Sequence, residues 1–227
     1  MHITEVVYYT DPLCCWSWGM ETAIKKLQAT FDATVRWRYC MCGLIPDWKH
    51  FSDPVNSVQR PAQMGPVWMH AQAVSGASFD TTLWFKDPPS SSYPACIAVK
   101  CVELQNISYV PSFIELLRTA CMTNGINIAR TEALVSVGEL LTLSVDTFDI
   151  ELFRQDLIGQ RARDAFRKDL EEVRIKQIDR YPSLLVRKAD NSQVLFSGYR
   201  SYDELSNIFR SEYKDRLTQV PPSPYNT

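Results

Sequence analysis

At 227 residues, with 45% hydrophobic and 22% charged side chains, the chain has the make-up of a soluble globular protein long enough to bury a full core without covalent staples. Its 24 Lys and Arg against 26 Asp and Glu leave a net charge of −2, which gives no electrostatic case for nucleic acid or an anionic membrane as a partner. No basic region precedes a long apolar run at the N-terminus, no stretch approaches the ~18 apolar residues of a membrane span, and the seven cysteines are odd in number and unevenly spaced, so a cytoplasmic protein with reduced thiols is expected.

Ile3 to Thr10 is rich in β-branched and aromatic residues and is cut off by Asp11-Pro12, which predicts a buried strand and a turn. From Trp18 to Ala29 the residues Met20, Ala23, Ile24 and Leu27 fall at helical spacing. Val35, Trp37, Tyr39 and Met41 then alternate with Thr34, Arg36, Arg38 and Cys40 at the period of a strand. A β-α-β unit of this length is parallel and right-handed, so both strands end on one sheet edge and Cys40-Met41-Cys42-Gly43 is placed near Cys14. Residues 44–60, with Pro46, Asp53-Pro54 and Asn56-Ser57, read as an irregular connection.

From Pro61 to about Arg180 the pattern is helical throughout. Met64, Val67, Trp68 and Ala71 share a face, and further helices are predicted over Ser92–Gln105, Pro111–Thr123, Thr131–Leu141, Asp146–Leu157 and Gly159–Val173. Strand character returns after Tyr181-Pro182: Ser183–Lys188, a turn at Ala189-Asp190-Asn191-Ser192, and a return strand over Gln193–Phe196. Ser201-x-x-Glu204 has the form of a capping box for a closing helix carrying Leu205, Ile208 and Phe209, and the tail from Gln219 is expected to be irregular. The division is therefore residues 1–60 with 181–227 as one unit and 61–180 as an inserted all-helical subdomain.

Chemistry is expected at Asp11-Pro12-Leu13-Cys14-Cys15-Trp16-Ser17-Trp18-Gly19. A cysteine between a strand and a helix sits where backbone N–H groups and the helix dipole stabilise a thiolate, which makes Cys14 the candidate nucleophile. Three residues on, Ser17 can donate a hydrogen bond to that thiolate but cannot close a disulfide with it. Cys15 is a poor partner, because adjacent Cα atoms are about 3.8 Å apart and unstrained disulfides need ~4.4–6.8 Å. Cys42, and after it Cys40, is the candidate resolving thiol, with Arg36 and Arg38 on the Cys40 side of the strand as groups that would favour a thiolate there. Cys14, Cys15, Cys40 and Cys42 lack the paired Cys-x2–4-Cys spacing of a zinc site, and His2, His50 and His70 show no ligand spacing, so no metal is expected. Cys96, Cys101 and Cys121 read as core residues. Trp16, Trp18 and Trp68 are candidates for lining an apolar groove.

Residues 11–19 resemble the Asp-Pro-x-Cys-x-Trp-Cys-Trp-Gly signature of the DsbA-like family in its cytoplasmic FrnE-like and SpxH/YjbH-like branch. Met41-Cys42-Gly43-Leu44 is similar to that branch's Gly-Gly-Leu, Ser92 to Lys100 to its first long insertion helix, and Tyr181-Pro182-Ser183 to its cis-proline loop. The resemblance implies an α/β thioredoxin fold interrupted by an all-helical subdomain. It also implies a cis Pro182 facing Cys14, with the backbone beside it and Tyr181 offered to an extended substrate. The departures are Ser17, where the family has its second redox cysteine, and Cys42, where the branch has glycine.

The function expected is thiol–disulfide exchange with proteins or peptides, with Cys14 attacking, Pro182 orienting the partner, and glutathione, another protein thiol or Cys42 resolving. No bound cofactor is expected beyond glutathione as a co-substrate. Two alternatives stand beside it: a redox-weak protein-binding adaptor that uses the same groove, and a glutathione-dependent transferase or isomerase, chemistry that related folds carry with Ser or Cys at this helix start.

Overall fold

The computed structural model describes residues 3–31 and 35–213, so the expectations on His2, Thr34 and the tail from Gln219 lie outside the described residues. The first apolar run forms β1 (Ile3–Thr10), whose Val6, Val7, Tyr8 and Tyr9 are all fully buried. A strand buried on both faces belongs at the centre of a sheet. It does so here. β2 (Arg36–Met41) pairs with it in parallel, with Thr10 opposite Met41, and β3 (Ser183–Lys188) pairs antiparallel on its other side, with Tyr9 opposite Ser183. β4 (Gln193–Ser197) completes the order β2-β1-β3-β4. The end of β1 thus lies between the end of β2 and the start of β3.

The helix expected over Trp18–Ala29 is two helices, α1 (Cys15–Gly19) and α2 (Glu21–Phe31). Gly19 is both a weak helix former and a point of close approach, since a Cβ there would fall 2.7 Å from the side chain of Ser75. Between β2 and β3 the chain runs through α3 (Met64–Ser75), α4 (Leu83–Lys86), α5 (Tyr93–Gln105), α6 (Val110–Arg118), α7 (Thr131–Thr142), α8 (Ile150–Ile158) and α9 (Arg161–Ile175). The helix expected over Pro111–Thr123 changes character at Arg118, where α6 passes into a single π turn over Thr119–Thr123. The closing helix α10 (Tyr202–Tyr213) opens on the expected capping box: the Ser201 amide donates to Glu204 at 2.8 Å and the Glu204 amide to Ser201 Oγ at 3.3 Å.

One continuous apolar core joins sheet and helices, from Val6, Leu13 and Ile24 through Trp68, Phe113 and Phe153. Trp68 is fully buried, its ring 5.1 Å from that of Trp84, so it fills this core and does not line a groove. A smaller cluster covers the opposite face of the sheet, where Val7, Tyr9, Cys40, Cys42 and Leu185 lie under Val173 and Ile178. β2 therefore divides its side chains as the alternation predicts, Tyr39 and Met41 to one core and Cys40 with the following Cys42 to the other.

Candidate active site around Cys14

A single carboxyl group holds the segments that meet at the end of β1. Asp11 is fully buried and accepts the Leu13 amide on one oxygen at 2.8 Å. Its other oxygen takes the Leu44 amide at 2.7 Å, the Ser92 hydroxyl at 2.8 Å and the Cys96 thiol at 3.3 Å. A buried carboxyl group is tolerated only with such partners, and here they tie together the turn before α1, the turn after β2 and the start of α5. Gly43 makes the middle one possible. Its φ is +62°, and a Cβ would lie 2.8 Å from the ring of Tyr93.

Cys14 precedes α1, its amide bonded to the Asp11 carbonyl at 3.1 Å, and only 3% of it is exposed. Burial pushes its thiol above the ordinary value, outweighing the hydroxyl and amide of Ser17 and the charge of Arg118, which pull it down; Asp11 adds to the rise. The expectation of a helix-stabilised thiolate is thereby corrected. A five-residue helix aligns few peptide dipoles, and desolvation is the larger effect.

Ser17 is fully buried and its oxygen accepts the Thr10 hydroxyl at 2.9 Å. Thr10 in turn accepts Arg118 Nη2 at 2.5 Å, while Arg118 Nη1 is ion-paired with Glu21. Arg118 is fully buried at the end of α6, and burial works against its charge, but Glu21 holds its pKa above the ordinary value.

Cys42 lies where the parallel register puts it, its amide donating to the Thr10 carbonyl at 2.9 Å. Its thiol turns to the Cys40 carbonyl at 3.6 Å and that of Cys40 to the Asp169 carbonyl at 3.7 Å. Burial drives both well above the ordinary thiol range. Arg38 does favour a thiolate at Cys40, but burial and the charges of Asp169 and Glu172, the latter paired with Arg38 at 2.5 Å, outweigh it; Arg36 is paired with Glu5 at 2.7 Å. Every cysteine is free in this structure.

The Tyr181–Pro182 peptide is cis, and the β1–β3 register carries Pro182 level with Thr10. The Pro182 carbonyl accepts the Gly198 amide at 2.8 Å. Tyr181 packs half-buried against the Cys40–Cys42 face, its hydroxyl donating to the Ile178 carbonyl at 3.2 Å. Trp16 and Trp18 are also half-buried: Trp16 meets the rings of His70 and Tyr199 at 5.4 and 5.8 Å, and the Trp18 indole donates to the Ser78 carbonyl at 3.0 Å. Among the described residues no group of three or more His, Cys, Asp and Glu is placed to hold a metal ion, and no helix is long and apolar enough to cross a membrane.

The thioredoxin family profile matches residues 8–207, from the middle of β1 into α10. The chain belongs to the thioredoxin family. Within it the arrangement is DsbA-like, a thioredoxin fold with its helices inserted between β2 and β3. The ClpXP adapter protein SpxH of Halalkalibacterium halodurans is 26% identical over 220 residues, 96% of this chain and 70% of that protein. A protein disulfide isomerase candidate from Nitrosomonas europaea superposes with a TM-score of 0.74 at 19% identity, over 97% of this chain and 100% of the other. The cytosolic disulfide reductase DsbM of Pseudomonas aeruginosa with GSH does so with a TM-score of 0.65 at 16% identity, over 95% and 98%.

In this thioredoxin-family chain the sequence patterns pointed to Cys14, Ser17, Cys42 and Pro182, which the fold gathers round the end of β1. They did not point to Thr10, Glu21 or Arg118, and they gave Asp11 only as the head of the motif and a turn residue, without its role as a buried acceptor. Arg118 did leave a signal: it falls on the apolar stripe of Ile114, Leu117 and Cys121, where a charge needs a buried partner.

Proposed function

We propose that this protein exchanges disulfides through one thiol. Deprotonated Cys14 attacks one sulfur of a protein, peptide or glutathione disulfide, that S–S bond breaks, and the departing sulfur leaves as a thiolate that takes up a proton. Cys14 is then held in a mixed disulfide. A second thiol, from glutathione or another protein, loses its proton, attacks the mixed disulfide and returns Cys14 as a thiolate. The backbone beside Pro182, with Trp16, Trp18 and Tyr181 around it, orients the partner. Residues 61–180 act in this reading as the inserted domain, and the setting is the cytoplasm. The observation that carries it is the placing of a free Cys14 at the start of α1 with the fully buried Ser17 one turn on, where no second thiol is offered. Likeness to disulfide-exchange proteins, one of them solved with GSH, supports the same chemistry.

A second reading is a binding adaptor on the same groove, favoured by the burial of Cys14 and by likeness to proteins named as ClpXP adapters. Intact-mass analysis after incubation with glutathione disulfide separates the two. Exchange predicts one adduct, removed by reductant, absent from Cys14→Ser and retained by Cys42→Ser. No adduct on any cysteine, with partner capture indifferent to Cys14→Ala, would leave the adaptor reading.

A further inference from the structure

A cleft of about 200 Å³ opens between the start of α5 and the middle of α9, lined by Tyr93, Ile97, Phe166 and Leu170 with Arg163 and Arg167. Pockets that enclose a small-molecule ligand run to ~300–1,000 Å³, so this one has room for a single large side chain. Its apolar surface is preformed. Phe166 is 3% exposed and lies edge-on to the Tyr93 ring at 5.0 Å. A Cβ at Gly43 would fall 2.8 Å from Tyr93, 2.9 Å from Leu170 and 3.1 Å from Phe166, so all three side chains are packed hard against that turn. The turn is itself fixed, through the Leu44 amide, to the buried Asp11 carboxyl group.

Charge at the cleft is unbalanced. Among the arginines of α9, Arg161 is paired with Asp156 at 3.8 Å, Arg167 with Asp164 at 2.5 Å and Arg174 with Glu171 at 2.6 Å. Arg163 is exposed and has no acidic partner among the described residues, and it is the one that lines the cleft beside Arg167. Asp47, which acts on Tyr93 from the loop after β2, is paired with His50 at 2.8 Å. An apolar floor with such a cation beside it is complementary to a large apolar side chain that has a carboxylate for a neighbour, and unfavourable to a basic segment. We propose that the α5–α9 cleft docks an acidic segment of a partner protein: one side chain of phenylalanine or leucine size enters between Tyr93, Ile97, Phe166 and Leu170, and an adjacent Asp or Glu pairs with Arg163. No thiol takes part, so docking here is independent of exchange at Cys14.

The test is an NMR titration of the isotope-labelled full chain with acetyl-Glu-Phe-Glu-amide. The amides of Ile97, Arg163, Phe166 and Leu170 should shift saturably, while those of Trp16, Trp18 and Tyr181 stay in place. Acetyl-Glu-Ala-Glu-amide and acetyl-Lys-Phe-Lys-amide should each bind about fivefold more weakly or worse, the scale of one apolar side chain or one exposed ion pair. Arg163→Gln, a change at an exposed position, should lower the preference for Glu over Lys flanks at least about threefold, Arg163→Lys should keep it, and Cys14→Ser should bind as wild type. Equal affinity for the Glu- and Lys-flanked peptides, an Arg163→Gln variant with the wild-type preference, shifts centred on Trp16, Trp18 and Tyr181, or no shift at all would each overturn the docking site and leave exchange at Cys14 standing. Failure of Cys14 to form an adduct with glutathione disulfide removes the exchange reading and leaves the docking site untouched.

Discussion

Arg118, carried by the last residue of α6, is ion-paired with Glu21 in the first turn of α2, beneath the junction that holds Cys14. Neither partner reaches water to any extent, with Arg118 fully buried and Glu21 8% exposed. Removing one half of such a pair leaves a desolvated charge behind, whereas an exposed pair such as Arg154–Glu139 is already solvated. Glu21→Ala should therefore lower the unfolding free energy by about 3–5 kcal/mol, and Glu139→Ala by about 0–1 kcal/mol. Denaturant melts of the two variants side by side check this. Equal, small losses would mean that Arg118 finds another partner.

The Asp11 carboxyl group is a second structural knot. Asparagine keeps its shape but replaces one acceptor oxygen by an NH2 group, which must meet donors: the Leu13 amide on one side, or the Leu44 amide and the Ser92 hydroxyl on the other. Asp11→Asn should destabilise by about 3 kcal/mol or more, since at least one donor loses its partner and another donor faces it. Ser92→Ala, which deletes one donor to Asp11 and the acceptor of the buried Ile45 amide at 3.1 Å, should cost less, about 1–3 kcal/mol. Thermal unfolding of both variants gives the comparison.

The strands and most helices could be read from the chain because their apolar periods are long and uninterrupted. β1 carries the run Val6-Val7-Tyr8-Tyr9, and α9 repeats Ala162, Phe166 and Val173 along one buried face. Gly19 and the π turn after Arg118 were not legible, since both depend on what packs against them. The site was half legible. Cys14, Ser17 and Pro182 stand in a local order that a motif preserves, but Thr10 and Glu21 acquire their roles only when α6 delivers a cation from about a hundred residues away. The setting of the Cys14 thiol was not legible for the same reason: sequence places Cys14 before a helix but does not say that the fold leaves only 3% of it exposed.

Burial also governs the other thiols. Cys40, Cys42, Cys96 and Cys121 are all buried, and desolvation pushes each above the ordinary thiol value. In the native protein at pH 7 iodoacetamide should modify these four at least about tenfold more slowly than in urea, because each unit of rise removes tenfold of the thiolate. Cys14 should be the first of the group around Asp11 to react as pH rises, since Ser17 and Arg118 offset part of its burial. Site-resolved labelling decides the order. Native labelling of Cys42 at its unfolded rate would show that the Tyr181 face opens freely, and would revive it as a resolving thiol.

Glu172 supplies a pH dependence whose sign can be worked out. Burial raises its pKa, but the hydrogen bonds from Arg38 at 2.5 Å and the Tyr9 hydroxyl at 2.7 Å more than reverse this and hold the carboxyl below its ordinary value of 4.5. A group whose folded pKa is depressed binds fewer protons in the folded state than in the unfolded one. Its contribution to stability is therefore complete above pH 4.5 and is lost as pH falls from there through the folded pKa. Glu172→Gln removes this titration while keeping an acceptor for Tyr9, so the variant should be less stable than wild type at pH 7 and the difference should shrink as pH drops below 4.5. Thermal unfolding of the pair between pH 3 and 7 measures it, and a stability gap that stays constant across that range would assign the contact to shape rather than charge.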